Sequence, residues 1–291
     1  MVSLQELFEN ARAGQYAVGH FNVASLEMFR AVALAARETG VPGVMIGTSE
    51  GEREFMGLRQ AVALTRVFAE ECGIRLVLNA DHSKSVGAAK DAIDAGYPSV
   101  HFDGSGLAYE DNVRQTREVV SYARERAAGR EEPGMSIEGE LGYIGGSSAV
   151  TSERVVVTAE QMTDPVKAGD YVQRTGVDRL AIAIGNVHGL NLEEPRLDFE
   201  RLAAIRAAVP DTCALVLHAG SGIGDADIRK AINLGIVNIH ISTELRKAYR
   251  EVLEESLRER AGEYAPYKLA KPAVQAVKEV VEAKLRLFGR P

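Results

Sequence analysis

The sequence has no tryptophan and only two cysteines, Cys72 and Cys213, among its 291 residues. So little cysteine excludes a disulfide-stapled fold, and both thiols are expected to be reduced, as in a cytoplasmic protein. No run of about 18 apolar residues occurs, and the opening MVSLQELFENARAG lacks a basic stretch followed by an apolar one. Neither a membrane span nor a secretory leader is expected. Positive charge is also short: 34 Lys and Arg stand against 41 Asp and Glu, a net charge of −7. That balance argues against a nucleic-acid partner, because binding a phosphate backbone needs clustered cations. A small anionic ligand would need local compensation.

What is present is a regular alternation. Short apolar or β-branched runs fall at 17–23, 43–49, 75–81, 99–104, 136–142, 179–185, 214–220 and 236–243. Amphipathic stretches such as 25–40, 57–72, 85–95, 109–128 and 225–233 lie between them, and a further one spans 271–287. No Pro/Gly/Ser-rich linker divides the chain, so residues 1–291 are read as one domain. Eight strands alternating with helices predict an α/β fold, a (β/α)₈ TIM barrel with an additional C-terminal helix.

Strand side chains alternate between faces, so the polar ones can be placed. Asn79 and Asp81 share a face, as do His101 and Asp103, Glu138 and Glu140, His218 and Gly220, and His240 and Ser242. Each pair falls late in its strand, whereas the alternate residues Leu78, Phe102, Leu217 and Ile241 are apolar and suit the side under the outer helices. A barrel active site sits at the carboxyl ends of its strands, and these polar pairs mark that end. The competing reading is a polar core satisfied by its own hydrogen bonds.

Three histidines occupy comparable ends: His82 in NADHS, His188 in GNVHG and His218 in LVLHAGSG. Imidazole is a common zinc ligand, and a catalytic zinc takes three protein ligands and leaves a position open. His20 and His101 are expected to be hydrogen-bonded core residues. No lysine lies within a strand core, and Lys84 sits on a turn, so Schiff-base chemistry is disfavoured against a metal route. The run GSGIGD lacks the spacing of a dinucleotide fingerprint.

Taken in order, NADHS, DGSGLAYEDN, EGELGYIGG, GNVHG, LVLHAGSG and ISTEL resemble the motifs of class II fructose-bisphosphate and tagatose-bisphosphate aldolases, with SEGE and AVKEVVEAKLRLFG extending the likeness over nearly the whole chain. The resemblance implies Zn²⁺ on His82, His188 and His218, with a monovalent cation, Na⁺ or K⁺, nearby. It implies Asp81 as the group that moves the C4 hydroxyl proton, Glu140 as a second metal-site carboxylate, and Glu138 and Asp103 as orienting groups. Asn22, Ser49, Gly189, Gly220, Ser221, Ser242 and Thr243 are the residues expected to bind substrate and its phosphate. The expected partner is a small sugar phosphate, and the expected assembly is a homodimer or homotetramer.

The sequence also departs from the family pattern. His240 stands where the family carries a catalytic asparagine, and Ala219 replaces a common glycine. The segment after the glycine pair reads GGSSAV at 145–150, with Ser147 and Ser148 in place of acidic residues. The arginine expected near the C-terminus for a distal phosphate is missing, and Arg53 or Lys268 is read as its substitute. The expected activity is zinc-dependent cleavage of a phosphorylated ketose, fructose 1,6-bisphosphate first, with another ketose such as tagatose 1,6-bisphosphate as the alternative. A zinc-containing sugar-phosphate-binding protein and a zinc hydrolase remain as rivals.

Overall fold

In the computed structural model, which describes residues 3–128, 134–150, 157–191 and 193–289, the chain begins with a helix that the strand rhythm did not announce. This is α1 (Leu4–Gly14), started by a capping box in which Ser3 and Glu6 satisfy each other's backbone N–H. Then come β1 (Val18–Asn22), α2 (Leu26–Thr39), β2 (Gly43–Thr48), α3 (Glu50–Met56), α4 (Leu58–Cys72), β3 (Arg75–Ser83), α5 (Val86–Ala95), β4 (Ser99–Phe102), α6 (Tyr109–Ala127) and β5 (Ser136–Leu141). The second half holds β6 (Gly145–Val150), α7 (Pro165–Thr175), β7 (Arg179–Ile182), β8 (Val187–Leu190), α8 (Phe199–Ala208), β9 (Ala214–Leu217), α9 (Asp225–Asn233), β10 (Ile236–Ile241), α10 (Thr243–Glu259) and α11 (Pro266–Phe288).

Eight strands close a parallel barrel in the order β1-β10-β9-β7-β5-β4-β3-β2, which is the predicted TIM barrel. The other two, β6 and β8, pair in parallel as a separate ribbon. Local chemistry sets the helix ends: Ser25 and Ser85 cap α2 and α5, and Gly40 and Gly96 end them with φ of 68° and 102°. The C-terminal helix is α11, longer than predicted and packed on α2, α10 and β1, where it closes the helical ring.

The outward faces of the strands fill the main core. Leu78, Phe102, Leu217 and Ile241 lie there, under helix residues such as Phe29, Ile93, Val119 and Val281. The interior has three levels. At the amino-terminal end α1 acts as a stopper, burying Leu4, Leu7, Phe8 and Ala11 against Val18, Met45, Val77, Ala214 and Val237. Above them is a hydrogen-bonded polar layer, and above that the open mouth. The polar residues singled out in the sequence therefore lie at two heights, some in this layer and some at the mouth. No helix among the described residues is long and apolar enough to cross a membrane.

Candidate active site

Asp81 and His82 are consecutive, and on a regular strand they would face opposite sides. The β3–β4 register shifts between Ala80 and Ser83, and His82 adopts φ 46°. This bulge turns both side chains to the mouth. A non-glycine residue in the left-handed region costs about 1–2 kcal/mol. Arg53 offsets that cost: although charged, it is only 5% exposed, and it donates to the carbonyls of Thr48 (2.9 Å) and Asp81 (2.8 Å) and to Ser83 Oγ (3.0 Å). Arg53 is thus spent on holding the bulge, and the expectation that it receives a distal phosphate does not stand.

His218, at the end of β9, precedes Ala219, whose φ is 58°. Its Nε2 donates to Glu138 Oε1 at 2.7 Å, as His82 Nδ1 donates to Asp103 Oδ2 at 3.0 Å. Each carboxylate fixes a proton on the far side of the ring, so the remaining nitrogens, His218 Nδ1 and His82 Nε2, face each other at 3.2 Å, and without a metal a proton on His82, whose pKa is raised beside Asp81 and Asp103, is shared between them. Two imidazole nitrogens that close call for a proton or a metal cation between them. Two nitrogen ligands on one tetrahedral zinc would stand roughly 3.3 Å apart, given metal–nitrogen bonds near 2.05 Å. The donor set fits a divalent metal.

His188, on β8, is half-buried, and desolvation together with the charge of His82 pushes it down to about 4, so its imidazole is neutral. Its ring stands 5.3 Å from that of His82 and 6.3 Å from that of His218, facing the same cavity at a greater distance. The largest such cluster among the described residues is instead Asp81, His82, His101 and His218, each offering a ligand atom, all within 4.8 Å of one another. His101 was expected in the core alone. It is fully buried, yet its Nε2 lies 3.2 Å from Glu140 Oε2 and its Nδ1 3.5 Å from Asp81 Oδ1, neither contact aligned as a hydrogen bond. The face it shares with Asp103 was the sequence signal that could have found it.

Asp81 is 3% exposed, and its Oδ2 accepts from Asn22 Nδ2 at 2.9 Å. Burial acts to raise its pKa, but the charge of His82 and contacts from His101 and His240 outweigh it and hold the carboxyl well below the usual range. Asp81 is an ionised base at neutral pH. His240 Nδ1 lies 3.4 Å from Asp81 Oδ1, and its ring stacks on His20 with centroids 3.5 Å apart and planes within 8°. Gly47 makes the stack possible, because a Cβ there would lie 2.1 Å from His20 Cε1.

An inner cavity of about 50 Å³ collects most of the predicted residues: Asn22 and Ser49 from the first two strand ends, Asp81, His82, His188, Gly189, His218, Ser221, His240, Ser242 and Thr243. Gly220 does not line it. Its amide is spent on the His240 carbonyl (2.9 Å), and a Cβ would meet Ile239 at 2.7 Å, so its role is close packing. The strand predicted over 236–243 ends at Ile241, and Ser242 and Thr243 start α10. Ser242 Oγ is buried with no hydrogen-bond partner. Glu140 lines an outer cavity of about 710 Å³, together with His82, His188, Lys84 and Arg246. Arg246, missed from sequence, lines both cavities and pairs with Glu52 at 2.6 Å. Lys268 lines neither; it pairs with Glu263 at 2.7 Å. The side chains of Ser147 and Ser148 lie outside the described residues.

A parallel barrel whose mouth gathers imidazoles and carboxylates around facing ring nitrogens is a barrel enzyme equipped for a metal. The sequence profile described as "Fructose-bisphosphate aldolase class-II" matches residues 2–291. The fructose-bisphosphate aldolase of Geobacillus stearothermophilus is 38% identical, covering 99% of this chain and 97% of that protein. That of Staphylococcus epidermidis is 37% identical with the same coverage. Among solved structures, the YdjI aldolase of Escherichia coli K12 superimposes with a TM-score of 0.79 at 32% identity, covering 99% of this chain and 97% of the other. The chain belongs to the class II fructose-bisphosphate aldolase family, and is a lyase of that family.

Proposed function

We propose that the protein catalyses the reversible, zinc-dependent aldol cleavage of a ketose bisphosphate, fructose 1,6-bisphosphate first, to dihydroxyacetone phosphate and glyceraldehyde 3-phosphate. The observation that carries the reading is the pair of imidazole nitrogens, His82 Nε2 and His218 Nδ1, facing each other at 3.2 Å beside the ionised Asp81. His82, His218 and His188 would hold the zinc. Bound there, zinc supplies Lewis-acid polarisation of the substrate carbonyl, which lowers the cost of the negative charge that cleavage leaves at C3.

Asp81 takes the proton of the C4 hydroxyl as the C3–C4 bond breaks, and returns it in the condensation direction. Asn22, donating to Asp81 Oδ2, aims that carboxylate. The inner cavity receives the phosphate of the dihydroxyacetone half, where Ser221, Ser242 and Thr243 gather beside Gly189. The orphaned Ser242 hydroxyl is a donor without a partner until an anion arrives. The outer cavity takes the aldehyde half, and Arg246 at its junction with the inner one is the cation best placed for a second anionic group. Glu52 holds Arg246 in place and also accepts from Asn22 Nδ2 (3.1 Å) and Ser49 N (2.7 Å), so one carboxylate ties the anion-binding side to the base.

The test is cleavage of fructose 1,6-bisphosphate by purified protein, coupled to triose-phosphate detection, before and after chelation and zinc restoration. Activity lost on chelation and regained with zinc is expected. A zinc-loaded protein that cleaves neither this ketose nor tagatose 1,6-bisphosphate would overturn the assignment.

A further inference from the structure

Arg179 is fully buried inside the barrel, below both cavities, and neither the metal nor the substrate reading uses it. A charge so placed persists only if its donors are met. They are. Nε donates to Ser136 Oγ (3.2 Å); one terminal nitrogen reaches Glu138 Oε2 (2.5 Å) and Asn238 Oδ1 (3.4 Å); the other donates to Asn79 Oδ1 (3.0 Å) and to Ser99 Oγ. Three of these partners each touch one imidazole of the site above.

Guanidinium nitrogens only donate, so every amide group facing Arg179 must present its oxygen. For Asn238 this agrees with its Nδ2 donating to the Val18 carbonyl (2.9 Å). The same Oδ1 lies 3.3 Å from His240 Nε2, which must therefore carry the proton; Nδ1 stands 3.4 Å from Asp81 Oδ1 without the alignment of a hydrogen bond and keeps its lone pair for a cation or donor placed between them. For Asn79 the oxygen is taken by Arg179 and by Ser99 Oγ (2.7 Å), so Nδ2 is what meets His20 Nε2 at 3.1 Å. His20 then carries its proton on Nδ1. Glu138, the third arm, accepts from His218 Nε2.

We propose that Arg179 is a positioning residue which, through Glu138, Asn238 and Asn79, fixes the tautomers of His218, His240 and His20, so that His218 Nδ1 and His240 Nδ1 both turn lone pairs toward the site. The stacked pair His20 and His240 carries opposite tautomers. His240 offers an acceptor to whatever lies beside Asp81. The inference concerns ring protonation, not the identity of the substrate, and its readout does not depend on activity.

The experiment is a long-range ¹H–¹⁵N correlation spectrum of the zinc-loaded, ¹⁵N-histidine-labelled protein, with rings assigned by the His20→Gln and His240→Asn variants. His240 in the Nε2–H form and His20 in the Nδ1–H form are expected. His240 in the Nδ1–H form, or averaging between the two forms, overturns the proposal. Asn238→Ala leaves the Arg179–Glu138 pair in place and should release His240 alone into exchange; an unchanged His240 tautomer also overturns it. Arg179→Gln should weaken zinc binding at least about tenfold in a chelator competition, with part recovered in Arg179→Lys. Should Arg179→Gln not fold, the wild-type spectrum and Asn238→Ala still decide.

Discussion

The inward-facing residues of β3 read Val77, Asn79, Asp81 from the closed end of the barrel to the open one, and those of β1 read Val18, His20, Asn22. Val77 and Val18 pack on the α1 stopper, Asn79 and His20 belong to the polar layer, and Asp81 and Asn22 stand at the mouth. The closed end is held by contacts that exclude water and need no particular direction. The open end is held by directed bonds between groups whose charges are matched. One end can therefore lose stability without losing chemistry, and the other can lose chemistry without losing stability.

Asp81→Asn should break the open end most severely. Cleavage should fall by about 10²–10⁴-fold while zinc content and melting temperature stay near wild type; residual activity close to wild type would assign the proton transfer elsewhere. At the closed end, Phe8→Ala should cost about 3–5 kcal/mol in urea unfolding and leave kcat unchanged wherever the protein is folded. A kcat that falls in step with stability would show that the ends are coupled through the polar layer. Arg246→Ala sharpens the comparison within the mouth: KM for a bisphosphate should rise about tenfold, the worth of one charge-assisted contact, with little change for a ketose monophosphate. Equal effects on both substrates would place Arg246 on the phosphate they share. Ala219→Gly is the mildest. Relief of its left-handed backbone should stabilise the protein by about 0.5–1 kcal/mol, read as a small rise in melting temperature.

Much of the mouth was legible because strand parity is a local rule. It put Asp81, Asp103, Glu140 and His218 on the inner face, and their neighbours Leu78, Phe102 and Leu217 under the helices, as found. Parity could not supply His82, which faces the mouth only through the bulge, nor Arg53, whose buried guanidinium holds that bulge. Arg179 escaped notice because a charge at the first residue of a strand looks exposed when no partner is visible. Its partners lie on β2, β3, β4, β5 and β10, far apart in sequence. Gly220 was misjudged for a related reason: GSG suggests backbone N–H groups free for an anion, and only the fold shows the Gly220 amide committed to β10.

By itself the sequence determined the alternation of strand and helix, the end of the barrel where chemistry gathers, and the residue types available there, because periodicity and side-chain chemistry are properties of short segments. The tertiary structure decided which nitrogen of each imidazole is free, which cation is spent on backbone and which on the cavities, and how α1 seals the barrel floor. Those outcomes depend on closing the sheet: only then do residues a hundred or more positions apart, such as Arg179 and Asn79 or His82 and His218, come within hydrogen-bonding distance and set each other's protons.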